Sequence, residues 1–282
     1  MAATEGPLAG RGALITGGGS GIGLQCARYL VRDGASVTIT GRTAACLEAA
    51  AAELEAEAKP GATVAWIAGD VTVEADLIAA VERASEAEGG LHLAVANAGK
   101  GGVGPLITTS LEEWNDILAT NLTGAFLVVK HAGAAIARSG GGAIVAISSI
   151  AGVTTHRFMS PYAVSKAAID MLVNSAADEL GVAGVRVNSV RPGIVDTELV
   201  EYPLGDEQIL TSYLDGMPVR RVGTVDDVAA AVRFLLGPES GWITGDNVSV
   251  DGGHHLRVGP DYEGIARALF GDAVDGTVPP PA

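Results

Sequence analysis

The sequence predicts an α/β protein built on a doubly wound parallel sheet of about seven strands flanked by helices. Short apolar runs alternate with segments of helical pattern along most of the 282 residues. The runs are apolar throughout and do not alternate with polar residues, as is typical of a parallel sheet covered on both faces. Because no low-complexity linker or short-period repeat divides the chain, we expect a single domain.

The elements are predicted in chain order from these runs and their boundaries. The first strand, 12–16, leads into a glycine-rich loop and a helix whose pattern ends at Asp33-Gly34. Pro60-Gly61 ends the second helix. The remaining strands are predicted at 35–40, 63–68, 91–96, 142–148, 185–190 and 247–250. The remaining helices are predicted at 43–58, 73–88, 110–120, 122–138, 162–180 and 225–236.

Composition and charge narrow the function classes. The apolar fraction of 48% excludes disorder for most of the chain, and the formal net charge of −15 argues against nucleic acid and anionic membranes as partners. The longest uncharged stretch, 139–156, is broken by glycines and serines, so we expect no membrane span. With no visible signal peptide and only two cysteines, the expected location is cytoplasmic.

The glycine-rich loop after the first strand is the first candidate site. Gly17, Gly21 and Gly23 fit the spacing G-x-x-x-G-x-G. Glycines allow the backbone to approach phosphates, and the helix N-terminus offers free N–H groups. Strand, loop and helix in this order predict a dinucleotide in a Rossmann-type fold, the alternative being a flexible turn. The loop residues expected to contact the cofactor are Gly17, Gly19, Ser20, Gly21, Ile22 and Gly23.

Further motifs follow the other predicted strands. In an open parallel sheet the ligand binds at the carboxyl ends of the strands, so motifs far apart in sequence should gather at one edge. That gathering, more than any single motif, predicts a site. The motifs, in strand order, are Gly41-Arg42-Thr43, Asp70-Val71, Asn97-Ala98-Gly99, Ser148-Ser149 and Pro192-Gly193.

Tyr162 and Lys166 are the strongest candidates for chemistry. They lie four residues apart at the start of a predicted helix, so their side chains share a face. A cation near a phenol favours the phenolate, and we therefore expect Lys166 to lower the pKa of Tyr162. The pair predicts proton transfer to or from an alcohol or carbonyl oxygen. Taken alone it is weak, because such pairs also occur on solvated helices.

Together the motifs resemble the classical short-chain dehydrogenase/reductase (SDR) family. The shared pattern comprises 16–23, Asn97-Ala98-Gly99, Ser149, Tyr162 with Lys166 and Pro192-Gly193, and it extends from about residue 8 to residue 253. The resemblance implies an NAD(P)(H)-dependent oxidoreductase that interconverts a secondary alcohol and a ketone. A cofactor-binding sensor or scaffold without catalysis is the alternative, and nucleotide-sugar epimerases or dehydratases differ in glycine spacing.

The resemblance also implies roles for single residues. Family spacing to the tyrosine selects Ser149 as the catalytic serine, and Ser148 should point to the other side of the strand. Asn121 is similar to the family asparagine that holds a water beside the lysine, often at a helix kink. Further cofactor contacts are implied for Asp70 with the adenine amino group, Val71 beside the ring, Asn97, Ala98 and Gly99 along the cofactor, and Pro192, Gly193, Ile194 and Thr197 near the nicotinamide.

Arg42 bears on the choice of coenzyme. An acid at the end of the second strand would bind the 2′-hydroxyl of NAD, whereas an arginine suits the 2′-phosphate of NADP. We therefore expect NADP(H) to be favoured and NAD(H) to remain possible. The alternative is an arginine that stacks on adenine or faces solvent.

The substrate is the least determined feature. The segment 198–222 should close over the site as a loop, and its apolar residues predict a lipophilic carbonyl such as a 3-oxoacyl thioester, steroid, terpenoid or aromatic ketone. Packing of the loop against the body is an equal alternative. His156 is equally open between a substrate contact and a surface residue. The charge of −15 would repel an acidic carrier protein.

The remaining predictions concern organisation. We expect a catalytic domain over 1–256 and a C-terminal extension over 257–282, with a short helix near 261–270 and a disordered end at 279–281. His254-His255 is not expected to bind metal, because adjacent side chains point apart. Alanine- and valine-rich helices at 122–138 and 162–180 predict a homotetramer or a dimer.

Overall fold

A computed structural model describes residues 6–197, 206–257, 259 and 261–276. The described chain contains one sheet of seven parallel strands in the order β3-β2-β1-β4-β5-β6-β7. The predicted fold class is confirmed, and the strand order reverses between β1 and β4. The strands are β1 Gly12–Thr16, β2 Ser36–Gly41, β3 Val64–Ala68, β4 Leu91–Ala96, β5 Gly142–Ile147, β6 Val185–Pro192 and β7 Asn247–Val250.

Helices cover both faces of the sheet. One face packs against α1, α2 and α8, and the other against α3, α5 and α6. No described helix is both long and apolar enough to cross a membrane. The helices are α1 Gly21–Arg32, α2 Ala44–Glu57, α3 Glu74–Ser85, α4 Leu111–Leu118, α5 Gly124–Arg138, α6 Ser160–Leu180, α7 Glu207–Gly216, α8 Val225–Leu236 and α9 Glu263–Phe270.

Successive side chains of the central strands point to opposite faces of the sheet, so each strand contributes to the hydrophobic core on both faces. In β1, Leu14 belongs to the cluster on the α3 side and Ile15 to the cluster on the α1 side, and both side chains are fully buried. Each such aliphatic side chain stabilises the fold by about 1.5–3 kcal/mol relative to an exposed one. The edge strand β3 is less buried, and its Trp66 is 38% exposed. The central strands therefore form a rigid base for the residues at their carboxyl ends.

Two predicted boundaries change. The helices predicted at 110–120 and 122–138 are joined without a break by a π-helical segment, Ala119–Thr123. The prediction of a loop over 198–222 is wrong for residues 207–216, which form α7. Asp206 begins that helix by accepting hydrogen bonds from Gln208 N and Ile209 N, each at 3.0 Å. Residues 198–205 of the segment lie outside the described residues.

The C-terminal extension contains the short helix that its apolar pattern predicts. This helix is α9, whose Ile265, Leu269 and Phe270 are all more than half exposed. The predicted disorder at 279–281 lies outside the described residues.

Candidate active site

The glycine loop between β1 and α1 adopts a conformation that only glycine allows easily. Gly17 has φ 63° and Gly21 has φ 54°, both in the left-handed region. At Gly23 a Cβ atom would lie 2.2 Å from the Gly17 carbonyl oxygen and 2.5 Å from Asn97 Nδ2. The three glycines of the predicted motif therefore each meet a steric requirement. Gly19 does not, because its nearest neighbour would be 3.6 Å from an added Cβ.

Asn97 holds the loop at the point where the strand order reverses. Its Nδ2 donates to Thr16 O at 3.0 Å and to Gly17 O at 3.1 Å. In return, Thr16 Oγ1 accepts from the backbone N–H groups of Asn97 and Ala98 at 3.0 and 3.2 Å. These bonds bring the predicted loop and the Asn97-Ala98-Gly99 motif together. The fixed, side-chain-free loop at the N-terminus of α1 fits the pyrophosphate of a dinucleotide.

The next cofactor candidates lie after β2 and β3. Arg42 and Thr43 are exposed. Asp70 Oδ1 accepts from Thr72 N at 2.9 Å and from Thr72 Oγ1 at 2.7 Å. These hydrogen bonds lower the pKa of Asp70, with smaller contributions from Arg42 and Lys100. An ionised Asp70 can accept from an amino group. Val71 is buried and lies against Gly124 at the start of α5.

The two serines after β5 have different surroundings. Ser148 Oγ donates to the backbone oxygen of Lys166 at 3.0 Å and so joins β5 to α6. Ser149 Oγ accepts from Ala151 N at 3.1 Å, and the serine lowers the pKa of the neighbouring Tyr162 phenol. The side chains thus diverge as strand alternation predicts, with Ser149 beside the phenol.

Tyr162 and Lys166 lie in the first turns of α6, on one face. Lys166 Nζ lies 5.5 Å from the centre of the Tyr162 ring and donates to Ile147 O at 2.8 Å. An added Cβ at Gly99 would be 3.6 Å from this nitrogen, in ordinary van der Waals contact, so Gly99 lies next to Lys166.

The expected lowering of the Tyr162 pKa is wrong for this structure. Burial raises the pKa of the phenol above its ordinary value, Ser149 partly opposes this, and Tyr213 adds to it. Lys166 Nζ donates to the β5 carbonyl of Ile147, and burial is the largest cause of the Tyr162 shift. Burial also lowers the pKa of Lys166 to about 8, against the Asp170 carboxylate, which raises it. An ordinary phenol is already protonated at neutral pH, and burial reinforces this for Tyr162.

Asn121 lies inside the π-helical segment, where the family resemblance placed a kink. Its Oδ1 accepts from Lys100 N at 2.8 Å, and its Nδ2 donates to Lys100 O at 2.9 Å and to Ser165 Oγ at 3.0 Å. Ser165 Oγ in turn donates to Tyr162 O at 2.6 Å. Asn121 thus connects the segment after β4 to the helix that carries Tyr162. Sequence analysis missed Ser165, although it precedes Lys166 in the motif.

Replacing Asn121 by alanine should lower the free energy of unfolding by about 2–3 kcal/mol, because three buried hydrogen bonds are lost at about 1 kcal/mol each. Denaturant unfolding measures this change. The matched control is Asn115→Ala on α4, since Asn115 is exposed. Equal destabilisation by the two substitutions would contradict the proposed connection.

A cavity of about 130 Å³ joins these groups at the carboxyl edge of the sheet. Its lining combines the predicted motifs: Ile22, Asn97, Gly99, Lys100, Ile147, Ser148, Ser149, Tyr162, Lys166, Pro192, Gly193, Val195 and Thr197. A larger cleft of about 630 Å³ lies at the opposite edge, near Arg11, His92 and Trp242. It contains none of the predicted site residues, so we place the reaction in the smaller cavity.

The segment after β6 borders the cavity near the glycine loop. Ile194 is buried, and Thr197 Cγ2 would be 3.6 Å from a Cβ at Gly21. Lys100 forms an ion pair with Asp116. Among the described residues no three metal-ligating side chains cluster, and His254 and His255 have different neighbours.

The connection between Ser149 and Tyr162 carries two exposed apolar residues. Phe158 has φ 68°, an unusual conformation for a bulky residue, and its carbonyl accepts from Gly104 N at 2.8 Å. Phe158 and Val153 are both about half exposed.

Comparisons with known proteins agree with this geometry. A family model described as Enoyl-(Acyl carrier protein) reductase matches residues 17–255. A short-chain type dehydrogenase/reductase from Mycobacterium ulcerans superimposes with a TM-score of 0.87 at 41% identity, over 96% of this chain and 99% of that one.

Two curated relatives have named activities. Galactitol 2-dehydrogenase (L-tagatose-forming) of Cereibacter sphaeroides is 35% identical over 88% of this chain and 96% of its own length. Cis-4-hydroxycyclohexanecarboxylate dehydrogenase of Sinomonas cyclohexanicum is 35% identical over 88% and 97%. The chain therefore belongs to the short-chain dehydrogenase/reductase family and is an NAD(P)-dependent oxidoreductase that acts on CH–OH donors.

Proposed function

We propose that Ser149, Tyr162, Lys166 and Asn121 reduce a carbonyl to a secondary alcohol, and catalyse the reverse oxidation. The observation that supports this most is that Ser149, Tyr162 and Lys166 line one cavity, with Ser149 close enough to lower the pKa of the Tyr162 phenol. Two hydroxyls can then contact one substrate oxygen.

The chain's own residues supply proton transfer and orientation. Ser149 donates a hydrogen bond to the carbonyl oxygen and polarises it. Tyr162, a protonated phenol at neutral pH, gives its proton to that oxygen as the carbon is reduced. A nicotinamide coenzyme held by these residues would supply the hydride, or accept it in the oxidation. Lys166 stabilises the phenolate that remains, and water returns a proton to it. Asn121 positions the start of α6 through its hydrogen bonds to Lys100 and Ser165.

We propose NADP(H) as the favoured coenzyme. Arg42 is exposed at the end of β2, and its charge reaches Asp70 after β3, so it stands at the predicted adenosine end. The cofactor contacts are those of the glycine loop, Arg42, Thr43, Asp70, Val71, the Asn97-Ala98-Gly99 motif, and the residues Pro192, Gly193, Ile194 and Thr197.

Replacing Arg42 by alanine should weaken NADPH binding by about 10-fold or more and leave NADH binding nearly unchanged, since a charge-assisted hydrogen bond to a phosphate contributes about 1.5–3 kcal/mol. Calorimetric titration with both coenzymes measures this. Arg138→Ala is the matched control, because Arg138 is an exposed arginine at the end of α5. Equal weakening of NADPH and NADH would contradict the proposed role.

We propose a lipophilic carbonyl as substrate. The half-exposed Phe158 and Val153 support this, because they offer apolar surface in the connection between Ser149 and Tyr162. A screen of ketones with NADPH and NADH, followed by absorbance at the nicotinamide band, tests the substrate class and the coenzyme together. Turnover confined to small polyols, with no lipophilic ketone accepted, would contradict this part of the proposal.

We propose self-association as a homotetramer or dimer. Phe126 on α5, together with Val164 and Met171 on α6, leaves apolar surface exposed on the two long helices. Light scattering of the purified protein distinguishes these masses from a monomer.

We also propose that the chain divides into a catalytic domain over 1–256 and an extension over 257–282. Cys26 is buried and Cys46 exposed, both as free thiols, which supports the proposed cytoplasmic location.

A further inference from the structure

Three rings from distant parts of the chain meet beside Tyr162. His156 comes from the connection before α6, Tyr213 from α7 and His254 from the turn after β7. The ring centres of Tyr213 and His254 are 5.4 Å apart, and those of His156 lie 6.3 and 6.4 Å from them. We call these three residues the ring cluster. Tyr213 contributes to the raised pKa of Tyr162, so the cluster lies within electrostatic reach of the catalytic phenol.

Each ring of the cluster has a polar atom without a hydrogen-bond partner among the described residues. His254 Nδ1 is buried without a hydrogen bond. The Tyr213 hydroxyl has no partner in the described part of the chain, and the imidazole of His156 is bonded only through Nδ1, to Thr154 O at 3.2 Å. Tyr213 and His156 are partly buried, and burial raises the pKa of Tyr213. Buried polar groups in folded proteins almost always have partners, so His254 Nδ1 indicates a ligand, and the two accessible atoms beside it are free to bind the same group.

The position of the His254 ring is fixed by its contacts with the end of α7. The ring packs against Gly216, where an added Cβ would come within 2.8 Å of Cδ2 and Nε2. The turn after β7 is joined to the end of α7 by Val219 N to Gly252 O at 3.0 Å and by Arg257 Nη1 to Asp215 O at 2.8 Å. If the three rings served only to pack against each other, rings without imidazole nitrogens or a phenol oxygen would be sufficient.

Resting on the proposed function, we propose that the ring cluster is a polar subsite that binds a second oxygen-bearing group of the substrate. The substrates are then ketones or secondary alcohols with an apolar frame and a hydroxyl, carbonyl or carboxylate remote from the reacting carbon. Phe158 and Val153 contact the frame, Ser149 and Tyr162 the reacting oxygen, and the cluster the second oxygen. In polarity, these substrates lie between a hydrocarbon ketone and a polyol.

Three ketones that differ only at the remote position test the subsite: 4-methylcyclohexanone, 4-hydroxycyclohexanone and 4-oxocyclohexanecarboxylate. The two oxygen-bearing ketones should exceed the methyl ketone in kcat/KM by about 10-fold, the value of one or two hydrogen bonds. A preference for the carboxylate over the hydroxyl would identify an anionic group, and the reverse a neutral one. Equal turnover of all three, or of none, would overturn the subsite.

Tyr213→Phe and His156→Phe sharpen the test, because each keeps a ring and removes the polar atoms. Each should reduce the preference for the oxygen-bearing ketones severalfold and leave turnover of the methyl ketone unchanged. Tyr29→Phe is the matched control, because the Tyr29 hydroxyl bonds Asp226 instead, between α1 and α8. An equal loss with all three ketones would show that the cluster only packs α7, leaving the proposed function intact. Failure of the proposed function would appear differently, as activity that survives Tyr162→Phe.

Discussion

Replacing Tyr162 by phenylalanine should lower kcat by about 10³-fold, within the range that general acid–base catalysis contributes. Among the residues that the structure describes, only this phenol combines a raised pKa, an effect of Ser149 on that pKa and a place in the cavity. Phenylalanine preserves the ring over which Lys166 Nζ lies at 5.5 Å, so the lysine should keep its bond to Ile147.

The measurement separates chemistry from binding. Titration of nicotinamide fluorescence should give nearly the same coenzyme dissociation constant for Tyr162→Phe and the wild type, because only the proton donor is lost. Tyr29→Phe serves as the control for removing a phenol hydroxyl elsewhere, and it should leave kcat unchanged. A Tyr162→Phe enzyme that retains most of its activity would show that another group delivers the proton, and the assignment of Ser149, Lys166 and Asn121 around it would fall as well.

Local spacing made Tyr162 and Lys166 predictable, whereas their pKa values were not. Four residues of helix place both side chains on one face whatever surrounds them. The direction of a pKa shift depends on burial and on what else bonds the cation, and both are tertiary properties. Lys166 donates to Ile147, nineteen residues earlier in the chain, a contact that no motif encodes. The sequence thus predicted Tyr162 as the acid, but it did not predict how its surroundings shift the pKa.

Strands and the glycine loop were predictable for a related reason. Apolar runs and glycine spacing report backbone requirements that are met within a few residues, as the φ angles of Gly17 and Gly21 show. The ring cluster was not predictable, since His156, Tyr213 and His254 come from three separate segments. The helix α7 was missed although Asp206 is a good N-cap, because the many apolar residues before and after it gave no clear helical face.

Replacing Gly23 by alanine should have the second largest effect, on both stability and cofactor binding. The added methyl would lie 2.2 Å from Gly17 O and 2.5 Å from Asn97 Nδ2, and neither atom can move without breaking the hydrogen bond that joins them. Forcing a methyl into a packed site costs about 1–3 kcal/mol. We therefore expect the free energy of unfolding to fall by about 2 kcal/mol.

Cofactor affinity should fall further than stability alone requires, because the displaced loop is the one expected to surround the pyrophosphate. A decrease of at least about 10-fold for both NADPH and NADH is expected, since the pyrophosphate is common to them. Gly19→Ala is the matched control in the same loop: its Cβ would have 3.6 Å of clearance, and Gly19 has no positive φ. If Gly19→Ala weakened binding as much as Gly23→Ala, general stiffening of the loop, and not the close approach of Gly23 to Gly17, would be the cause.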